Sequence, residues 1–330
     1  MNKNIIVTGG LGFIGSHLIE HVVRKTNWNI IVIDKVSYAT NGFHNLRSSN
    51  LISNPRVRIF TWDLVMPLSV GIKKEIEPSI NYIIHIAAES DVNRSITEPI
   101  FCIQNNINST LQMLEYAREL PNLEKFYYFS TDECYGVPEG DYAFKESDRH
   151  VPRNPYSASK SACEMICMAY ENTFKIPIVI SSMNNCFGQR QHHEKFIPLC
   201  IKSILYNEKI YIHSDSTATI PGRRSYIHAR NEADAILFIL KSGQIGESYN
   251  INSKDELDNL ELAQKIAQYM NKELVYELVN FHQDRPGHDL VYRLDPTKLI
   301  NLGWKQPVNF DKSLEQTIDW YLNNPEWFDL

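Results

Sequence analysis

Thr8-Gly9-Gly10-Leu11-Gly12-Phe13-Ile14-Gly15 is the stretch that decides the fold. It follows a short β-branched run, Asn4–Thr8, and opens a helical pattern, Phe13–Lys25, so its glycines fall in a turn between a strand and a helix. Gly9, Gly12 and Gly15 then permit a tight turn, close approach of the backbone to a pyrophosphate, and close helix–strand packing. Amides at the helix N-terminus face the phosphates. Asp34 ends the next β-branched run, Asn29–Asp34, nineteen residues after Gly15. A carboxylate there binds both ribose hydroxyls of NAD and repels a 2′-phosphate, so NAD is expected over NADP. The competing reading of Asp34 is a turn or cap residue.

Beyond this turn, short β-branched runs alternate with longer helical patterns. Strands are expected at Val57–Thr61, Asn81–Ile86, Lys125–Ser130 and Ile178–Met183, with helices at Pro99–Glu119 and Pro155–Phe174. That alternation predicts an α/β fold: a Rossmann-like doubly wound parallel sheet, followed by a smaller C-terminal substrate-binding domain. The NAD-binding part is expected over residues 1–185 plus about 226–252, and the substrate part over 186–225 plus 253–330. Further helices are expected at Asn231–Lys241, Leu260–Asn271 and Phe310–Asn323. Within the second part, Arg, Gly, Pro and aromatic residues gather at Gly222–Tyr226 and Asp284–Asp289.

Composition narrows the partners. The 330 residues are 43% hydrophobic and 22% charged, an ordinary globular balance. A net charge of −6 without a Lys/Arg cluster offers no footprint for nucleic acid, so an anionic substrate must meet local cations. The six cysteines are scattered; Cys163 and Cys167 lie four apart, but no second pair stands at zinc-site spacing. They read as reduced thiols of a cytoplasmic protein without a metal. The opening MNKNIIVTGG reads as a strand and a turn, not a signal peptide, and no apolar run reaches membrane length.

Two further segments carry chemistry. In Tyr156-Ser157-Ala158-Ser159-Lys160, Tyr156 and Lys160 are four apart and share one face of a helix. An ammonium beside the phenol is expected to lower its pKa from about 10 and favour the phenolate. A phenolate can take the proton of a sugar hydroxyl while a nicotinamide takes the hydride. Thr131-Asp132-Glu133, at the end of the fifth strand, adds two carboxyls that simple alcohol oxidation does not need, and the surplus points to an elimination. The competing readings are a solvent-side loop pair for Asp132 and Glu133 and a packing aromatic for Tyr156. Ile86-Ala87-Ala88-Glu89-Ser90 ends a strand with small residues, as a backbone passing under a cofactor requires, and Asp63-Leu64 stands where an adenine would be held. Ser90 and Ser130 also read simply as hydroxyls that satisfy strand-end amides.

These residues resemble the extended short-chain dehydrogenase/reductase family and, within it, the nucleotide-sugar 4,6-dehydratases that act on dTDP-glucose or UDP-glucose. The resemblance runs from Asn4 to about Leu322. Its specific element is Thr-Asp-Glu at 131–133; His85–Ser90, Arg94-Ser95-Ile96, Glu194-Lys195 and Arg285-Pro286-Gly287-His288-Asp289 match as well. The resemblance implies an internal redox cycle. Tyr156, helped by Lys160, removes the C4 hydroxyl proton as hydride passes to NAD; Glu133 takes the C5 proton; Asp132 protonates the departing C6 hydroxyl; hydride returns to C6. Thr131 would bond near the C4 oxygen. Also implied are cofactor contacts from Phe13, Ile14, Lys35, Ser37, Asn105 and Cys186. Substrate contacts are implied from Ser90, Arg94, Asn185, Glu194, Lys195, Arg224, Asn250, Arg285 and His288, with Arg224 and Arg285 on the diphosphate. The small, apolar Ala158, Ala162, Cys163 and Ala169, together with the resemblance, lead us to expect a homodimer joined through Pro99–Glu119 and Pro155–Phe174.

Three departures leave alternatives open. Cys186 stands where bacterial dehydratases carry asparagine, Asp91 replaces a usual histidine, and Ser214–Arg224 is longer than the usual loop, which blurs Arg224 against Arg223. Arg224-Ser225-Tyr226 resembles the UDP-glucose type and Arg285–Asp289 the dTDP-glucose type. A 4-epimerase or UDP-glucuronate decarboxylase shares everything except the Asp-Glu pair, and a catalytically silent NAD-binding regulatory protein shares the fold.

Overall fold

Apolar residues on both sides of consecutive strands dictate a sheet buried between two layers of helices. In the computed structural model, which describes residues 3–37, 40, 42–76, 79–280 and 290–329, that sheet is built as expected. Its strands are β1 (Asn4–Thr8), β2 (Asn29–Asp34), β3 (Val57–Thr61), β4 (Ile80–His85), β5 (Lys125–Phe129), β6 (Ile178–Met183) and, after the short β7 (Asn185–Phe187), β8 (Ile210–Ser214) and β9 (Arg223–His228), the returning β10 (Ser248–Ile251). The seven-stranded order is β10-β6-β5-β4-β1-β2-β3, and every pairing within it is parallel. The order reverses between β1 and β4, where open parallel sheets form a crevice beyond their carboxyl ends.

Side-chain alternation explains the two layers. Ile5 and Val7 of β1, Ile30 and Val32 of β2, and Tyr127 and Phe129 of β5 point into one core. Ile6, Ile31, Ile33, Phe126 and Tyr128 point into the other. The helices are α1 (Phe13–Lys25), α2 (His44–Arg47), α3 (Val70–Ile76), α4 (Val92–Thr97), α5 (Pro99–Arg118), α6 (Pro155–Phe174), α7 (Phe196–Tyr206) and α8 (Ala229–Ser242). Leu18, Ile19 and Val22 of α1 with Ile236 and Leu240 of α8 cover the first face; Met113 and Leu114 of α5 with Cys163 and Cys167 of α6 cover the second. Each fully buried aliphatic side chain contributes roughly 1.5–3 kcal/mol. Cys163, expected on an intersubunit face, is therefore internal, held against the Asn106 carbonyl oxygen at 3.4 Å.

A third core, including Phe187, Ile201, Ile212, Leu262, Leu314 and Tyr321, lies in the C-terminal half. It gathers α7 with α9 (Asn259–Tyr269), α11 (Phe310–Asn323) and two small sheets, β11-β9-β7 and β12-β8, where β11 is Glu256–Asp258 and β12 is Tyr276–Asn280. The remaining helix, α10 (Thr297–Leu302), packs on β10. Several expected boundaries move by one or two residues, because caps that periodicity does not register set the ends. His228 caps α8 by accepting from Arg230 N at 3.0 Å, and Asp258 caps α9 by accepting from Glu261 N at 2.8 Å. Likewise β4 ends at His85 instead of Ile86, whose amide turns to the Thr8 hydroxyl at 3.1 Å.

The glycine turn tolerates no side chain at two points. A Cβ on Gly15 would lie 2.3 Å from the Gly9 carbonyl oxygen, and one on Gly9 would lie 2.9 Å from Ala87 Cα, where φ is also +69°. Gly15→Ala should therefore cost roughly 1–3 kcal/mol through overpacking and lower the midpoint of thermal unfolding by several degrees. An unchanged midpoint in calorimetry would contradict this account of the turn.

Candidate active site

The crevice at the switch point is a cavity of ≈ 350 Å³ bounded by the ends of β1, β2, β4, β5 and β6. All residues expected to hold the cofactor line it, from Gly9, Gly12, Phe13, Ile14 and Gly15 in the turn, through Asp34, Lys35, Ser37, Asp63, Leu64, Ile86, Ala87, Ala88, Ser90 and Asn105, to Tyr156, Lys160 and Cys186. Asp34 is held rigidly: its carboxylate accepts from Leu11 N at 3.0 Å and Val36 N at 2.9 Å, while burial pushes its pKa up. Lys35 reaches across to Glu89 at 2.5 Å and Asn105 Oδ1 at 2.9 Å, which ties β2 to α5. A shelf without side chains at Gly9 and Gly15, amides at the start of α1, and a fixed carboxylate at the end of β2 fit a dinucleotide.

The segment expected to carry the proton transfers is local in origin. Thr131 follows β5 and caps a single 3₁₀ turn, Asp132–Cys134, through its hydroxyl, which accepts from Glu133 N at 3.4 Å. That turn sends the two neighbouring carboxyls in different directions. Asp132 is buried; its Oδ1 accepts from the Thr131 hydroxyl at 3.2 Å and its Oδ2 from Asn184 Nδ2 at 3.0 Å. Burial, then the Glu133 charge, pushes its pKa up to about 7. Glu133 opens on both cavities and accepts from Asn154 Nδ2 at 2.8 Å. Asn154 is also the N-cap of α6, accepting from Ser157 N at 2.8 Å, with Pro155 at the first helical position. One side chain thus locks the start of the Tyr156 helix to the Glu133 carboxylate.

Tyr156 and Lys160 stand one turn apart on α6, as the spacing predicts, and both line the cavity. The expected lowering of the phenol pKa is not what this arrangement produces. Lys160 donates to the Phe129 carbonyl oxygen at 2.6 Å and lies 4.3 Å from the centre of the Tyr128 ring. Burial, reinforced by Glu133, Cys134 and Asp132, holds Tyr156 well above its usual value, opposed by a hydrogen bond with Thr131. Burial likewise lowers the pKa of Lys160. The spacing places the ammonium correctly but says nothing of the carboxyls and the apolar walls around the phenol.

A second cavity of ≈ 340 Å³ adjoins the first and shares Ser90, Glu133, Asn185, Cys186, Gln191 and Lys195 with it. Glu194 and Arg224 line it as expected. Arg224 is the arginine of the site: it is buried, stacks 4.5 Å from the centre of the Tyr292 ring and donates to the Leu290 carbonyl oxygen at 2.5 Å. Arg223 instead pairs with Glu256 at 2.9 Å and Glu261 at 3.4 Å. Asp91 borders this cavity while capping α4, accepting from Arg94 N at 3.1 Å.

Two expected substrate ligands are placed elsewhere. Arg94 pairs with Glu89 at 3.3 Å and Glu98 at 3.1 Å and lines neither cavity. Asn250 is fully buried in β10, where its amide bonds the Phe144 carbonyl oxygen at 2.9 Å and the Asp295 carbonyl oxygen at 3.3 Å. Arg285 and His288 lie outside the described residues. Conversely, Asn154 and Asn184, which hold the two carboxyls, were not among the expected site residues. Their position was a signal in each case: one directly precedes Pro155-Tyr156, and the other directly follows β6 beside the crevice.

Comparison with known proteins agrees with this geometry. The profile of the family described as GDP-mannose 4,6 dehydratase matches residues 6–317. A dTDP-glucose 4,6-dehydratase of Haemophilus influenzae is 36% identical over 342 residues, covering 97% of this chain and 98% of that protein. A trifunctional UDP-glucose 4,6-dehydratase, epimerase and reductase of Arabidopsis thaliana is 33% identical over 99% of this chain, which spans 48% of its length. Among solved structures, the dTDP-glucose 4,6-dehydratase DesIV of Streptomyces venezuelae, with NAD and TYD bound, superposes with a TM-score of 0.87 at 30% identity, covering 99% of each chain. A Thermus thermophilus UDP-glucose 4-epimerase complexed with NAD gives 0.85 at 26% identity, covering 97% of this chain and 99% of that one. On the profile match across nearly its whole length, and on relatives that it covers end to end, the protein belongs to the GDP-mannose 4,6-dehydratase family.

Proposed function

We propose that this protein is an NAD-dependent nucleotide-sugar 4,6-dehydratase, a hydro-lyase that converts dTDP-glucose or UDP-glucose into the 4-keto-6-deoxy sugar nucleotide and water. The observation that carries the reading is the division of labour between Asp132 and Glu133 in the cavity that also holds Tyr156 and Lys160. An epimerase or a decarboxylase has no use for a buried acid poised near neutrality beside a second, open carboxylate. Bound NAD supplies the hydride acceptor for C4 and the donor for C6. Tyr156 serves as the base for the C4 hydroxyl proton, with Lys160 one helical turn away on α6. The 4-ketone acidifies C5–H, and Glu133 removes that proton while Asp132, held neutral by burial, protonates the departing C6 oxygen. Arg224 and Lys195 are the cations that meet the diphosphate in the second cavity. Ser90, Asn185 and Glu194 border the sugar. We assign the cofactor to residues 1–185 with about 226–252 and the nucleotide sugar to the remainder.

No described helix is long and apolar enough to cross a membrane, and the six free thiols fit a reducing, cytoplasmic setting. The reading includes a homodimer. Helices α5 and α6 pack against each other, and their outer faces expose Ile100, Phe101, Met165, Met168 and Phe174, which a second copy would cover as a four-helix interface. Light scattering at micromolar concentration should give the mass of two chains; a one-chain mass removes this part of the proposal.

Incubation of the protein with dTDP-glucose and with UDP-glucose, without added reductant, should yield a product lighter by one water from at least one of them, read by mass spectrometry. A sugar isomer of unchanged mass would assign an epimerase instead, and no change with either would favour a silent NAD-binding protein. Glu133→Gln should lose water elimination by a factor of roughly 10²–10⁴ while the C4 position can still be oxidised, so reduced cofactor accumulates at 340 nm. A variant that dehydrates at the full rate would show that Glu133 is not the C5 base.

A further inference from the structure

Three side chains that line neither cavity converge on the Asp132–Cys134 turn. Cys134 closes that turn, Glu164 comes from α6, and His150 comes from the loop that leads into the helix. One ligating atom of each, the Cys134 Sγ, an imidazole nitrogen and a carboxylate oxygen, lies within 4.8 Å of the other two. Cys134 and Glu164 are buried, while His150 keeps an edge at the surface. We propose that Cys134, His150 and Glu164 form a binding site for one thiophilic divalent cation of the zinc class, which braces the Asp132–Cys134 turn against α6. The donor set is chemically matched. Thiolate, imidazole and carboxylate are the ligands of tetrahedral zinc, and three protein ligands leave the fourth position to water. Spacing among the cysteines gives no sign of the site, because only one of its ligands is a cysteine.

The spacing is matched as well. His150 Nε2 and Glu164 Oε2 stand 3.7 Å apart, too far for a direct hydrogen bond. Bonds of about 2.0–2.3 Å to a shared tetrahedral ion set ligand atoms roughly 3.3–3.7 Å apart, so loading asks for side-chain shifts on the order of an ångström. The surroundings hold the ligands in place. His150 Nδ1 bonds the Ser161 hydroxyl at 3.0 Å, which turns Nε2 toward Glu164, and the Tyr135 ring meets the imidazole edge-on at 4.8 Å. Val151 N donates to the Cys134 carbonyl oxygen at 2.9 Å and keeps the His150 loop beside the turn. Glu164 Oε1 takes the Ser130 hydroxyl, which leaves Oε2 for the ion. Cys134 Sγ has only weak partners, the Ser130 hydroxyl at 3.7 Å and the Ser157 carbonyl oxygen at 3.6 Å. The charges balance too. Binding expels the thiol proton, and any proton on the carboxyl, to solvent; the thiolate and carboxylate then cancel the two charges of the ion. The Lys160 ammonium, whose charge acts on both Cys134 and Glu164, therefore faces a neutral centre while it donates to the Phe129 carbonyl oxygen at 2.6 Å. Among the described residues one other group has ligand spacing, His192, His193 and Glu194, but these are consecutive residues of one loop.

The test uses the full chain, stripped with a chelator and titrated with cobalt(II) as a spectroscopic stand-in for zinc. One cobalt per chain should bind with the strong visible bands of a tetrahedral site and a near-ultraviolet thiolate-to-metal charge-transfer band. Zinc should displace it and raise the midpoint of thermal unfolding. Cys134→Ser should abolish the charge-transfer band, and His150→Gln should weaken cobalt binding by roughly tenfold or more. His193→Ala should change neither. A wild-type chain without the charge-transfer band overturns the proposal, as does a band that survives Cys134→Ser. If the serine variant does not fold, His150→Gln decides, and an unchanged affinity there is equally fatal. A cobalt spectrum lost with His193→Ala but kept with Cys134→Ser places the ion on the His192–Glu194 loop and overturns the site at Cys134.

Discussion

The close approach of β1 and β4 at the point where the sheet reverses its order is the constraint on which the rest depends. Gly9 lies against Ala87, and the Thr8 hydroxyl accepts from Ile86 N at 3.1 Å and Ala87 N at 3.2 Å. Thr8 also bonds His85 Nδ1 at 2.8 Å, and His85 bonds Thr110 on α5 at 3.2 Å, so the two strand ends and the helix beneath them form one buried polar unit. Burial holds the His85 ring neutral, its pKa lowered to about 3. A neutral ring can bridge two hydroxyls without an uncompensated charge, which would be costly at this depth. With these ends pinned, the crevice has a floor of backbone and small side chains, and the ends of β2, β5 and β6 set its walls.

On those walls, burial decides function more than residue identity does. Asp132 and Glu133 are chemically near-equivalent neighbours, yet a one-turn 3₁₀ helix puts one into the protein and leaves the other at the cavity junction. Desolvation then raises the Asp132 pKa against the opposing charge of Arg224. The same force acts on Glu164, two turns along α6 from Tyr156, whose pKa burial pushes up to about 7 and whose carboxyl takes the Ser130 hydroxyl. The segment 131–133 therefore sits on a bed of polar groups that burial keeps largely uncharged, with the Lys160 ammonium tied to the Phe129 carbonyl oxygen among them.

Much of this was legible in the chain. The glycine turn, the seventh-strand return excepted, and Asp34 identified the sheet and cofactor site because their spacing answers to local geometry. A strand, a tight turn and a helix start depend on residues within one short segment. Helix ends were less legible, since His228 and Asp258 act as caps through side-chain bonds that hydrophobic periodicity does not register. Substrate ligands far apart in sequence fared worst. Arg94 and Asn250 match expected positions, but one is drawn into ion pairs with Glu89 and Glu98 and the other into backbone bonds beneath β10. Asn154 and Asn184 went unread because neither is chemically reactive; each matters only for the carboxyl it holds.

The sequence by itself determined the reaction's parts: a glycine turn before a helix, an acid at the end of β2, a phenol and an ammonium one helical turn apart, and a Thr-Asp-Glu triplet after β5. These are short-range facts, carried by spacing along a strand or a helix. The tertiary structure decided which carboxyl is buried, which of Arg223 and Arg224 enters the pocket, and why the phenol's pKa lies well above its usual value. Each of those outcomes is set by burial and by partners brought from distant segments, Asn184 and Asn154 on the carboxyls and the Glu256 and Glu261 pairs on Arg223. Electrostatic free energy depends on distance and desolvation in three dimensions, and spacing along the chain records neither.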